Sequence, residues 1–243
     1  MVMSNDAAPQ LVLTQVNKVY RVDDQTVDAV REVSLTVRRG ELLTVIGHSG
    51  SGKTTLLSII GGIARPDSGR VLFNGVDIQT LDSDGLADYR RDKVGFMFQF
   101  ASLLPMLTAR ENLLLPVAFA GNRRAAGGRP EQKAADLLAL VGLQDRINAY
   151  PAQLSGGQQR RVAIARAFMN DPQLILADEP TGDLDEETEQ DILRIFREYN
   201  QQGVTFVVVT HNRHLAATQI NPRVLRMKQG MLREESWPEE KED

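Results

Sequence analysis

The chain has 243 residues, 42% of them hydrophobic and 25% charged, so it carries ample apolar material for a folded core. A net charge of −4 excludes a global basic field that would draw it to nucleic acid, and the absence of cysteine excludes disulfides, a thiolate metal site and a cysteine nucleophile while suiting a reducing cytoplasm. No apolar run reaches the roughly eighteen residues of a membrane span, the first residues lack the basic and apolar regions of a signal peptide, and no solenoid-type repeat is present.

Residues 11–16 alternate apolar and polar and predict an edge strand. Tyr20 is the first aromatic residue. Its ring can stack on a purine or simply cover a sheet edge, and position alone does not choose. Residues 29–37 alternate again and predict a strand, residues 38–41 a turn, and the β-branched run 42–46 a buried strand.

Directly after that strand come Gly47, His48, Ser49, Gly50, Ser51, Gly52, Lys53, Thr54 and Thr55. They fit G-x-x-x-x-G-K-[ST], and the apolar residues 56–60 beyond them predict a helix. Strand, glycine-rich turn and helix make the context of a phosphate-binding loop. Glycines let backbone N–H groups turn inward, and the helix N-terminus adds partial positive charge. Lys53 is placed to reach the β- and γ-phosphates and the Thr54 hydroxyl to ligate Mg²⁺. His48 occupies a permissive position that uses only its backbone.

Residues 65–69 read as a turn, 70–75 as a strand ending in a turn, and 81–93 as a short helix. The apolar run 94–99 ends on Gln99, which suits a metal or water ligand as well as an ordinary surface glutamine. Residues 101–107 are apolar but broken by proline, and Thr108 with Glu111 forms a capping box that opens a helix. Arg123, Arg124 and Arg129 lie in a Gly/Ala-rich stretch without interleaved aromatics, hence a solvated loop and not a nucleic-acid patch. In residues 131–141, Ala134, Leu137, Leu138 and Val141 share one helical face. Residues from about 96 to 170 thus form a helical insertion in a chain that otherwise alternates strand and helix.

Leu154, Ser155, Gly156, Gly157 and Gln158 precede the helix 161–169. Ser155 is a good N-cap, and the sequence fits both an anion-binding helix start and a plain capped helix. The buried strand 174–177 ends in Asp178 and Glu179, two carboxylates that are costly there unless they hold a metal or activate water. Residues 181–185 cap a helix reaching about Asn200. The strand 204–210 ends on His211, on the side where open α/β sheets bind ligands. His214 is expected on the surface, residues 223–230 as a closing hairpin strand, and the acidic tail 236–243 as frayed.

Taken together these residues resemble the nucleotide-binding subunit of an ABC transporter, over residues 11–235 as a single ABC ATPase domain with the helical subdomain at about 96–170 inserted. Tyr20, the Walker A loop 47–55, Gln99, the LSGGQ signature 154–158, Walker B 174–178 with Glu179, and His211 follow the family's order. LSGGQ separates this family from other phosphate-loop ATPases. The resemblance implies an α/β P-loop NTPase core with a mixed sheet, an N-terminal antiparallel β subdomain and an inserted α-helical subdomain.

It further implies that two copies pair head to tail around two ATP–Mg²⁺. Tyr20, residues 47–55, Gln99, Ser155, Gly156, Gly157 and Gln158 would touch ATP. Thr54, Gln99 and Asp178 would serve the metal, and Lys53, Glu179 and His211 the chemistry, with Glu179 polarising the attacking water. Asp183 and Asp185 would lie at the dimer seam, Asp183 standing where asparagine is frequent.

Residues 98–116 resemble the branch of lipoprotein-release, macrolide-export and cell-division ATPases (LolD, MacB and FtsE types). That implies a separate membrane permease, a peripheral place on the cytoplasmic face of the inner or plasma membrane, and export of lipoprotein, lipid or hydrophobic compounds, or mechanotransmission. A signalling or cell-division ATPase that moves no substrate is an alternative. A soluble ABC ATPase acting on ribosomes or DNA is disfavoured by the single Walker A and the lack of heptads. Leu103, Leu104 and Met106 fit either a groove for the permease or the subdomain's own small core.

Overall fold

Two hydrophobic patterns alternate along the chain, a period-two pattern and a set of continuous apolar runs, and each gives a different kind of strand. The computed structural model describes residues 9–22, 25–119, 129–182, 184–212 and 223–234. In chain order they form β1 (Pro9–Val22), β2 (Gln25–Arg38), β3 (Leu42–Ile46), α1 (Lys53–Ile60), β4 (Ser68–Phe73), β5 (Val76–Asp77), α2 (Ser83–Asp92), β6 (Val94–Met97), α3 (Ala109–Ala118), α4 (Pro130–Leu140), α5 (Gly156–Ala167), β7 (Leu174–Asp178), α6 (Glu186–Gln201), β8 (Thr205–Thr210), β9 (Arg223–Lys228) and β10 (Met231–Glu234). Arg123, Arg124, Asp183, His214 and the tail 236–243 lie outside the described residues.

The chain divides into two compact units, residues 1–86 with 205–243, and residues 87–204. In the first, the alternating segments build an antiparallel sheet in the order β2-β1-β4-β5. Leu11, Leu13 and Val16 of β1 are buried, as are Val30, Val33, Leu35 and Val37 of β2. The edge placement expected for residues 11–16 is corrected here: β1 is interior, with β2 on one side and β4 on the other. Alternation reports that one face of a strand is buried and carries no information on how many neighbours it pairs with.

The continuous runs behave differently. β3 pairs in parallel with β8 and with β9, and β9 turns back into β10. Every residue of β8 is buried, as strands in parallel sheets are when both faces are covered. α1 contacts β8, and Leu56, Ile59 and Ile60 supply its apolar stripe at i, i+3 and i+4 spacing.

In the second unit β6 and β7 pair in parallel, and α3, α4 and α5 pack on one another. Leu113, Leu137, Leu138, Val162, Ile164 and Phe168 are all buried there. Phe168 stacks on Tyr199 of α6 with ring centroids 4.1 Å apart. Of the segment expected as a helical insertion at about 96–170, residues 120–128 lie outside the described residues.

Candidate nucleotide site

The phosphate loop leaves the end of β3, where Gly47 N–H donates to the Thr210 carbonyl (3.3 Å) at the end of β8. It closes on itself through Ser51 N–H to the His48 carbonyl (3.2 Å), and Gly230 N–H in the β9–β10 turn grips the Ser51 carbonyl (3.0 Å). Gly52 sits at φ +106°, and a Cβ there would lie 2.0 Å from the Ala29 carbonyl oxygen and 2.8 Å from Cε of Met227. A Cβ on Gly47 would lie 2.5 Å from the Met227 carbonyl oxygen. The glycines are therefore needed on the loop's back, where β2 and β9 press against it, as well as for amides that face a ligand.

Lys53 is buried, and its Nζ donates to the carbonyls of Gly47 (2.7 Å) and His48 (3.1 Å), which holds the ammonium inside the loop. α1 starts at Gly52 without a side-chain cap and without an acidic residue in its first turn. Its N-cap brings no side chain and its first turn no negative charge to the positive end of the helix dipole, which favours an anion there. Ser49, Gly50 and Thr54 are exposed on this loop, and His48 contributes its carbonyl as expected.

His211, immediately after β8, is brought to the same place. It lines a cleft of about 140 Å³ with Ile46, Gly47, His48, Arg226, Met227 and Lys228. Arg226 and Lys228 add cationic side chains to this cleft that the sequence reading did not single out. Their alternation in β9 was the only signal, and it is equally that of a strand with one polar face. Tyr20 lies on β1, opposite Val27, and is 40% exposed.

In the second unit β7 is buried along its whole length and delivers Asp178, which is 5% exposed, at its C-terminal end. Glu179 follows with a left-handed backbone, φ +48°, uncommon for a residue with a side chain and frequent at functional positions. Its carbonyl is held by the Arg160 guanidinium and by Gly182 N–H (3.2 Å). Arg160 also donates to the carbonyl of Gln99, whose side chain is exposed.

Six residues further along α5, Arg166 donates to the carbonyls of Ala101 and Ser102, both at 3.0 Å. Burial pushes the Arg166 guanidinium down from the usual arginine range. Two arginines on α5 therefore hold the segment after β6 by its backbone. Sequence reasoning missed both; the arginines beside LSGGQ were visible, but their partners are about sixty residues away in the chain.

α5 opens with a complete capping box. Gln158 N–H donates to Ser155 Oγ (3.2 Å), and Ser155 N–H donates to Gln158 Oε1 (3.0 Å). Ser155 and Gly156 are exposed, and Gln158 is committed to the cap. Asp185 caps α6, its carboxylate accepting from Thr188 N–H and Thr188 Oγ1, both at 2.9 Å. Those bonds hold the Asp185 carboxyl below the usual range.

Asn112 was also missed. It is fully buried, accepts from Leu104 N–H (2.8 Å), and donates to the carbonyls of Leu104 (3.2 Å), Leu107 (3.0 Å) and Thr108 (3.0 Å). The capping box read from Thr108 and Glu111 is present beside it.

No group of three or more His, Cys, Asp or Glu side chains among the described residues would cage a metal. Thr54 in the first unit and Gln99 and Asp178 in the second each carry a hard oxygen donor, the kind of ligand that Mg²⁺ takes.

Comparison with known proteins agrees with these features. A family model described as ABC transporter matches residues 30–182. An uncharacterized ABC transporter ATP-binding protein of Thermotoga maritima is 50% identical over 200 residues, 82% of this chain and 84% of that one. The macrolide export ATP-binding/permease protein MacB of Syntrophobacter fumaroxidans is 43% identical over 92% of this chain, which spans only 31% of that protein. Among solved structures, the ATP-binding cassette MJ0796 of Methanocaldococcus jannaschii, in a dimeric post-hydrolysis state bound to ADP and Pi, superposes with a TM-score of 0.85 at 39% identity, covering 92% of this chain and 98% of that one. The phosphate loop, the LSGGQ helix start and these relatives together place the chain in the ABC transporter ATP-binding family, and its enzymatic activity is that of an ATPase.

Proposed function

We propose that the chain is the ATP-hydrolysing subunit of a membrane transporter, pairing head to tail with a second copy around two ATP–Mg²⁺ and driving a permease of the MacB/LolD type. The observation that carries the pairing is the start of α5. Neither Gly156 nor Gly157 has positive φ. A Cβ on Gly156 would meet nothing within 4 Å, and one on Gly157 only Leu184 Cδ2 at 3.5 Å. The chain's own fold therefore does not require glycine at either position. Glycine there favours close approach by a group from outside, and the N–H groups of an exposed helix start suit a phosphate. The relative MJ0796 is dimeric with ADP and Pi.

In this reading Lys53 and the loop amides hold the β- and γ-phosphates, and Thr54, Gln99 and Asp178 hold Mg²⁺, which neutralises phosphate charge when bound. Ser155 and Gly157 meet the partner's nucleotide, Tyr20 stacks on the base, Glu179 polarises the attacking water and His211 contacts the γ-phosphate. Asp183 and Asp185 lie by the seam, Asp185 through its role at the start of α6. Glu179→Gln retains every phosphate-binding group and loses the base. It is expected to bind ATP, to cleave it at least about a hundredfold more slowly, and to run as a dimer when sized with ATP and Mg²⁺. A monomer with ATP demonstrably bound would refute the paired arrangement.

The permease dock is assigned to the surface after Gln99. Phe100, Leu104 and Met106 are exposed by 76%, 46% and 78%, whereas Leu103 is only partly exposed. Beside them in the same unit is a cleft of about 580 Å³ lined by Phe96, Phe98, Phe119, Arg90, Arg91 and Arg166 among others. Apolar grooves of this kind accept an amphipathic helix. The MacB relative is named as ATP-binding protein and permease in one polypeptide, so the occupant proposed is a permease helix reaching the cytoplasmic surface. No helix among the described residues is long and apolar enough to cross a membrane. Attachment to the cytoplasmic face through that permease follows from the proposal, as does export of a lipoprotein, lipid or hydrophobic compound.

A further inference from the structure

Lys18 and Tyr20 stand two residues apart on β1 and so share a face of the strand. The Lys18 ammonium lies over the Tyr20 ring, 5.4 Å from its centroid. Asp67 fixes it there. Asp67 Oδ1 pairs with Lys18 Nζ at 2.9 Å, its Oδ2 accepts from Val19 N–H at 2.7 Å, and its own N–H donates to the Asn17 carbonyl at 2.8 Å. One aspartate thus holds three consecutive residues of β1 directly before Tyr20. The Val19 N–H bond, and then Lys18, keep the Asp67 carboxyl below the usual carboxylate range.

The strand pairing is irregular at the same place, but at both register shifts beside Lys18 the extra residue belongs to β2, so β1 keeps its alternation from Lys18 to Tyr20. The Lys18 side chain is only 17% exposed, so its charge is committed to Asp67 and to the ring. A cation held over one face of an aromatic ring leaves the opposite face for a second flat partner.

We propose that Lys18 and Asp67 are positioning residues for base recognition: they orient Tyr20 and cover one face of its ring, so that a purine of the bound nucleoside triphosphate stacks on the other. This rests on the reading of Tyr20 as the base platform. The device acts on the base, and the phosphates gain nothing from it.

The test is calorimetric titration, with Mg²⁺ present, of ATP and of inorganic tripolyphosphate into the full chain and into Lys18→Met, Lys18→Arg, Asp67→Asn, Tyr20→Ala and the double variant Lys18→Met/Tyr20→Ala. Lys18→Met and Asp67→Asn are expected to weaken ATP binding roughly three- to tenfold, about the range of a partly exposed cation–π contact, with tripolyphosphate affinity unchanged. Lys18→Arg should retain ATP affinity. The double variant should bind ATP no more weakly than Tyr20→Ala, because both substitutions remove the same interaction.

An equal loss for tripolyphosphate would overturn the proposal and make Lys18 a phosphate ligand. Unchanged ATP affinity in Lys18→Met and Asp67→Asn, alongside a loss in Tyr20→Ala, would reduce the pair to a clamp on the sheet. Unchanged affinity in Tyr20→Ala itself would instead remove the base-platform reading. If Lys18→Met fails to fold, as judged by circular dichroism, Asp67→Asn and the Lys18→Arg control carry the same comparison.

Discussion

Replacing Gly52 by alanine tests whether the phosphate loop is shaped by what lies behind it. Two effects add at this position. The backbone stands at φ +106°, outside the conformations open to an L-residue, and the new Cβ would lie 2.0 Å from the Ala29 carbonyl oxygen. That oxygen belongs to the backbone of β2, where Ala29 is a bulged residue held between Asp28 and Val30, which pair with Val19 and Lys18 of β1, so it can shift only by disturbing both neighbours. Gly50 provides an internal control, because it also has positive φ, +76°, but a Cβ there meets nothing within 4 Å.

Each substitution should lose about 1–2 kcal/mol to left-handed backbone. Gly52→Ala should lose roughly 1–3 kcal/mol more to overpacking. For a chain of this size each kcal/mol lowers Tm by about 2–4 °C, so the two melting curves should separate by several degrees. ATP turnover by Gly52→Ala should fall as well, because the displaced residue begins α1 and carries Lys53 with it. Thermal unfolding of both variants side by side, with ATP hydrolysis at saturating nucleotide, is the assay. Equal Tm values for the two variants would refute the close approach of β2.

Three further outcomes are expected. Lys53→Ala should abolish ATP hydrolysis in a phosphate-release assay while the chain stays folded, and near-parental turnover would contradict the assignment of the loop. Asn112→Leu should lower stability by about 2 kcal/mol in urea unfolding, since the Leu104 N–H and three carbonyls around residues 104–108 lose their partner; an unchanged midpoint would mean that other groups order that segment. Replacing Leu104 and Met106 together by serine should leave folding and basal hydrolysis intact and abolish co-purification with the permease from membranes. If the double variant unfolds, these side chains belong to the subdomain's core; if it still binds the permease, the dock lies elsewhere.

The chemistry-bearing motifs were legible in the sequence because each is local. A phosphate loop needs its glycines, lysine and threonine at fixed spacing, and LSGGQ needs a cap and two small residues at a helix start, so short windows show both. The same holds for the capping box at Thr108 and Glu111, and for the buried runs of β7 and β8, whose apolar continuity marks them as parallel strands. The sequence also separated the alternating N-terminal strands from these runs.

Tertiary structure alone decided what pairs distant residues. Alternation could not show that β1 is an interior strand, since hydrogen-bonding neighbours leave no trace in side-chain period. The part of Met227 and Ala29 in shaping the phosphate loop rests on backbone carbonyls, which any sequence presents identically. Arg160 and Arg166 grip carbonyls about sixty residues earlier in the chain, and Asn112 satisfies a segment that no propensity scale connects to it. The Lys18–Asp67 pair joins residues 49 apart in sequence, and only the folded sheet sets that charge over the ring of Tyr20.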